Sequence, residues 1–324
     1  MRTHMIQDFP LSIHMRRFPF QALVSFLLIV AGFGIHDASG EASTSAEKTA
    51  IGVGMPAASF LAREIGQDKV EVITALPEGY NHEFSSITPQ TMARLLDADI
   101  FLTMGLPFEN QIVEALRQRK PQMIIVGLDE GIERIRMEED HHHSHPGHEH
   151  SAACETETGE DPHIWMDPLN MIRMAQKTGM ILKDKMPLES DGLNRNLAML
   201  VTRLQALHNN NMTKLHPMKG SLILTYHPAF GYYAEAYGLN QVAVESEGKS
   251  PSARKISDLL GNSREGLIRC MLIQPQFNTP PIRRLATRIS LPVEVVDPLS
   301  TDYIGMIEHL TDVLLSYHSK VSGS

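Results

Sequence analysis

ESDGLNRNLAMLVTRLQALHNNNMTKLH, residues 189–216, reads as one uninterrupted helix that divides the chain into two α/β regions. Leu193, Leu197, Leu200, Leu204 and Leu207 recur at spacings of four and three, which places them on one helical face. At 1.5 Å per residue such a helix is on the order of 40 Å long. A helix of that length between two α/β regions is a stiff connector. Its leucine stripe is expected to pack against both neighbours rather than to form a dimerising coiled coil.

Working outward toward the N-terminus, short apolar runs at 50–53, 70–74, 100–104 and 123–126 read as buried parallel strands. Between them, 57–65, 89–97 and 108–119 read as helices, with Thr88-Pro89 as a cap and first-turn pair. Toward the C-terminus the same alternation returns. Runs 222–225, 241–244, 270–273 and 293–296 read as strands. Stretches 229–237, 251–260, 280–289 and 302–316 read as helices, with Ser250-Pro251 and Thr279-Pro280 repeating the capping pair. Two βαβ series mean two parallel sheets.

The composition excludes several classes. With 324 residues, 42% hydrophobic and 21% charged, the chain is globular and long enough for two domains. A net charge of −9 argues against a nucleic-acid partner. Two cysteines exclude a four-cysteine zinc site within one chain. Histidine is abundant at 16, and His141, His142, His143, His145, His148 and His150 crowd into one segment. That segment, 138–159, has no apolar periodicity and reads as a disordered surface loop with accessory metal affinity. The eighteen methionines are scattered and read as core filler rather than as a copper-binding stripe.

The first 40 residues are expected to be an export signal. Arg16 and Arg17 precede the apolar stretch 18–35, and Ala38-Ser39-Gly40 offers small residues for cleavage. Met15 is an alternative start, and the absence of a cysteine near the cleavage point argues against a lipid anchor there.

Four places put a metal-competent side chain in a loop or at a strand end, where open α/β sheets bind ligands. They are Tyr80-Asn81-His82-Glu83-Phe84, Asp161-Pro162-His163-Ile164-Trp165-Met166-Asp167-Pro168, Tyr226-His227-Pro228-Ala229-Phe230, and Val296-Asp297-Pro298-Leu299. Each alone also fits a turn, a cap or a packed histidine. Asp161 or Asp167 could orient the His163 ring through its second nitrogen.

Taken together and in this order, with Gln274-Pro275-Gln276-Phe277, these stretches resemble the metal-binding (cluster A-I) substrate-binding proteins of ABC transporters, in particular the zinc-uptake branch. The resemblance runs from about residue 49 to the C-terminal helix. It implies two Rossmann-like lobes joined by a long rigid linker helix, with the metal in the cleft between them. It divides the chain into a signal peptide at 1–40, an N-terminal lobe at 41–187, a linker helix at 188–216 and a C-terminal lobe at 217–324. By the same resemblance His82, His163, His227 and Asp297 hold the metal. Three imidazoles and one carboxylate suit Zn²⁺, carried as transported ligand rather than as cofactor. Glu83 or water competes with Asp297 for the fourth position.

The implied protein is a periplasmic monomer that delivers zinc to the membrane permease subunits of an ABC importer and is not an enzyme. A manganese- or iron-binding protein of the same fold would want a second carboxylate in place of His227. A zinc hydrolase would need an open coordination position, a base such as Glu83 and supporting context such as HExxH, which the sequence lacks. An adhesin role is less attractive without a lipidation cysteine. Relatives in this branch pair a cysteine at the position of Cys270 with one near the C-terminus. No cysteine follows Cys270 here, and Cys154 lies in the histidine-rich loop. Trp165, the sole tryptophan, is expected beside the cleft.

Overall fold

A computed structural model of the protein describes residues 48–77, 79–80, 87–137, 159–245 and 251–319. The expected signal segment, His82, Glu83, Cys154 and the six histidines between 141 and 150 lie outside the described residues.

Strands β1 (Thr49–Val53), β2 (Val70–Thr74), β3 (Ile100–Thr103) and β4 (Ile124–Gly127) form one parallel sheet in the order β2-β1-β3-β4. Their crossovers carry α1 (Pro56–Gly66), α2 (Pro89–Asp97) and α3 (Pro107–Arg119). Two more helices follow, α4 (Pro168–Lys185) and α5 (Ser190–Leu215). The second sheet repeats the topology. Strands β5 (Leu222–Thr225), β6 (Asn240–Ala243), β7 (Met271–Ile273) and β8 (Val293–Val295) lie parallel in the order β6-β5-β7-β8. Helices α6 (Gly231–Ala236), α7 (Ala253–Arg264), α8 (Pro280–Arg288) and α9 (Tyr303–Ser319) complete it. Among the described residues no helix is long and apolar enough to cross a membrane.

Some caps follow side-chain chemistry, but Thr279 stands at the start of α8 with no side-chain bond to the helix, so that expected cap is not made. Thr88 Oγ1 accepts the Thr91 N–H at 3.1 Å, as Thr88-Pro89 predicts. The cap of α7 lies two residues beyond the expected start, where Ser252 accepts the Lys255 N–H at 3.1 Å. Helix α6 starts at Gly231, two residues later than expected, since Ala229 is held in a turn by its N–H bond to the His227 carbonyl. Helix α4 was not anticipated. Its entry, Asp167-Pro168, reads equally as a turn, and only the Asp167 Oδ1 bond to the Leu169 N–H shows it to be a cap.

Helix α5 has 26 residues, about 39 Å at 1.5 Å each. Leu193, Leu200, Leu204 and Leu207 are buried, and Leu197 is partly buried. Burial of each leucine contributes roughly 1.5–3 kcal/mol. The stripe packs on α1 and α4 from the first half of the chain and on α9 from the second. The largest apolar cluster therefore runs without a break from Ile51 and Val53 of β1, through Leu200 and Leu204, to Ile223 of β5 and Leu272 of β7. Wide hinging of the lobes would tear that core, so large rearrangement is disfavoured.

Candidate metal centre

In a doubly wound sheet the crevice opens where the chain reverses its winding direction, at the carboxyl ends of the central strands. In the second half these are β5 and β7. His227 follows β5 by two residues, and Gln274 to Phe277 follow β7. From the other half, Asp161, Pro162 and His163 lead through a 3-10 turn (Ile164–Met166) into α4.

These loops bring two of the expected ligands together. His163 Nε2 lies 3.3 Å from His227 Nε2, and both residues are nearly inaccessible, at 1% and 4% exposed. Two nitrogens bound to a tetrahedral zinc at about 2.0–2.1 Å would be separated by about 3.3–3.4 Å. The rings therefore already stand at the spacing the ion requires.

Each ring is oriented from behind. Asp161 Oδ1 lies 2.7 Å from His163 Nδ1 and also accepts the His163 backbone N–H at 2.8 Å. Glu245 Oε1 lies 3.0 Å from His227 Nδ1. Both carboxylates are buried. When Nδ1–H is donated to a carboxylate, the free lone pair sits on Nε2. With both rings so oriented, the two Nε2 lone pairs point at one shared position, where a single cation can bind both. A bound Zn²⁺ would also balance the two buried carboxylates in charge.

The supports are themselves pinned. A bridge between Arg136 and Glu160, with the Asp161 N–H bonded to the Ile135 carbonyl at 2.8 Å, sets the approach to His163. Tyr232 of α6 reaches across, its hydroxyl accepting the Ile135 N–H at 3.2 Å. Gly231 permits the contact, because a Cβ there would stand 2.3 Å from Asp161 Oδ2. His227 is stacked on Phe277, with ring centroids 5.3 Å apart and planes at 20°. Its carbonyl accepts from Thr225 Oγ1 at 2.7 Å and Gln274 Nε2 at 2.9 Å.

Of the two acids weighed as the orienting partner of His163, Asp161 fills that role and Asp167 caps α4. Burial pushes the Asp167 carboxyl above its ordinary range. Trp165 is fully buried, its ring 5.2 Å from His163 and its indole N–H donated to the Pro298 carbonyl at 2.8 Å. Asp297 precedes that proline and is half-buried; its Oδ1 accepts the Leu299 N–H at 3.0 Å. Among the described residues no group of three His, Cys, Asp or Glu side chains is placed to hold a metal ion. The described part of the centre is thus the imidazole pair with its two carboxylates. Glu245 escaped the sequence reading. Its signal was an acid just past the carboxyl end of a strand, informative only once β6 is known to lie beside β5.

Replacing Glu245 with Gln is expected to weaken zinc binding about 10–100-fold, the usual loss when a partner behind a metal-bound histidine is removed. Competition against a chromophoric chelator measures it, and an unchanged affinity would show that Glu245 does not orient the ring.

Residues 53–317 match the sequence model of a family described as ZnuA, zinc-uptake complex component A, periplasmic. The high-affinity zinc uptake system protein ZnuA of Bacillus subtilis is 26% identical over 285 residues, which cover 86% of either chain. The zinc-binding protein AdcA of Streptococcus pyogenes is 25% identical over 226 residues, 67% of this chain, which spans only 44% of AdcA. Among solved structures, a crystal structure of ZnuA superposes with a TM-score of 0.73 at 25% identity, covering 84% of this chain and 99% of the other. A zinc-bound ZnuA lacking residues 138–173 of its own numbering gives 0.73 at 26% identity, covering 84% and 98%.

Proposed function

We propose, since this chain belongs to the ZnuA family of periplasmic zinc-uptake components, that it captures Zn²⁺ outside the cytoplasmic membrane and delivers it to the permease subunits of an ABC importer. The observation that carries this reading is the pair of buried imidazoles whose facing nitrogens stand 3.3 Å apart, each backed by a carboxylate. His163 and His227 supply two ligands, and His82 is proposed as the third. Asp297 is proposed for the fourth position, with Glu83 or water as its competitors.

Imidazole-rich coordination favours zinc over manganese, which prefers oxygen ligands. A preformed, buried site suits capture, since little ordering entropy remains to be lost on binding. The continuous core under the two sheets supports loop ordering and a small tilt on loading rather than wide closure. His141, His142, His143, His145, His148 and His150 are proposed as weaker accessory contacts that collect zinc, and Glu83 as an accessory ligand. The mature protein is proposed to act as a monomer without catalytic activity after removal of residues 1–40.

A zinc titration of the mature protein that follows Trp165 emission tests the reading, because the indole lies beside His163. One tight site that resists excess Mn²⁺ is expected. In protein lacking residues 141–150 the total zinc bound should fall while the tight site persists. Loss of the tight site on that deletion would refute the collector role, and preference for Mn²⁺ would refute the zinc assignment.

A further inference from the structure

The metal cavity contains two polar side-chain ends with no assigned use. Gln274 is 1% exposed, and its Nε2 is committed to the His227 carbonyl at 2.9 Å, which fixes the orientation of the amide. The opposite end, Oε1, is buried without a hydrogen-bond partner among the described residues, and so is Gln276 Nε2. Both glutamines line the same small cavity as His163 and His227, with a volume of about 10 Å³. That volume is about what a single water needs. Phe277 and Leu299 close other sides of it with apolar surface.

Buried polar atoms are rarely left unpaired in native proteins, and an orphan donor with an orphan acceptor on residues that line a water-sized cavity marks a hydration site. We propose that Gln274 and Gln276 hold one water molecule in this cavity, and that the water stays beside the ion when the cleft is loaded. The water accepts from Gln276 Nε2 and donates to Gln274 Oε1. One lone pair then remains to face the metal. Gln274 thus becomes a positioning residue twice over, through the His227 carbonyl and through the water. The inference rests on the reading of His163 and His227 as metal ligands.

The test uses the mature protein with Gln274→Leu and, as a variant nearer the cavity rim that leaves the His227 carbonyl contact intact, Gln276→Leu. Three readouts apply: zinc affinity by chelator competition, the visible d–d spectrum of the Co²⁺-loaded protein, and a crystal structure of the zinc-loaded wild type. Gln274→Leu is expected to bind zinc about 10–100-fold more weakly, the range for losing a group that supports the coordination shell. Both variants should alter the Co²⁺ spectrum, and the wild-type crystal should show a water within hydrogen-bonding reach of Gln274 Oε1. A dry cavity in the loaded crystal, or wild-type affinity and spectra in both variants, overturns the proposal. His163→Ala, measured alongside, separates the failures. If it loses zinc while the glutamine variants do not, only the water is wrong. If it too binds normally, the metal site itself has been misassigned.

Discussion

His227→Ala is expected to weaken zinc binding by at least about 100-fold, because loss of a ligand should exceed the 10–100-fold typical of losing the partner behind it. The substitution removes one of the two facing nitrogens and leaves Glu245 buried without its imidazole. It also empties the space against Phe277. The fold should survive, since the main cluster is anchored by β5, β7 and α5 around the site rather than by the ring itself. Calorimetric titration of the variant, with a thermal melt to confirm folding, makes the comparison. A folded variant with near wild-type affinity would remove His227 from the ligand set.

A second large effect lies away from the cleft. Glu109 near the start of α3 is 1% exposed, and its Oε2 accepts the backbone N–H groups of Met104 and Leu106, each at 2.9 Å. Its Oε1 has no hydrogen-bond partner among the described residues and presses against Gly54, where a Cβ would stand 1.7 Å away. Burial outweighs the two N–H bonds and pushes the Glu109 carboxyl up to about 7 from the ordinary 4.5. Between those two values the folded state holds a proton that the unfolded chain has released. Stability from this group is therefore complete below about pH 4.5 and is lost as the pH rises through about 7. At 1.36 kcal/mol per pKa unit the loss is on the order of 3 kcal/mol. Glu109→Gln removes the titrating proton and keeps an oxygen for the two N–H groups. Urea unfolding of metal-free protein at pH 5 and pH 8 should show wild type losing more stability than the variant by roughly that amount. Equal pH dependence in the two proteins would contradict the account.

The imidazole pair was legible because its backbone is written in prolines. Asp161-Pro162-His163 and His227-Pro228 announce stiff turns at strand and helix ends, and both histidines do face the crevice. The two parallel sheets were legible from apolar runs, and the linker from its leucine spacing, since periodicity reports local geometry directly. The partners of these residues were less accessible. Glu245 and Gln274 gain meaning only from a sheet order that sets β6 and β7 on either side of β5, a fact no local pattern encodes. The choice between Asp161 and Asp167 was open for the same reason. One closes back on its own imidazole, and the other caps α4, a helix whose entry resembles a plain turn.

The Trp165 indole N–H donated to the Pro298 carbonyl ties the loop after β8 to the turn that follows His163. A tryptophan beside an Asp-Pro turn suggests proximity to a site but does not name its acceptor.

Anomalous diffraction at the zinc edge from crystals of the zinc-loaded protein tests the shared-ion claim most directly. A single strong peak is expected within about 2.0–2.2 Å of both His163 Nε2 and His227 Nε2. Zinc bound elsewhere, or bound to one imidazole with the other turned away, would contradict it.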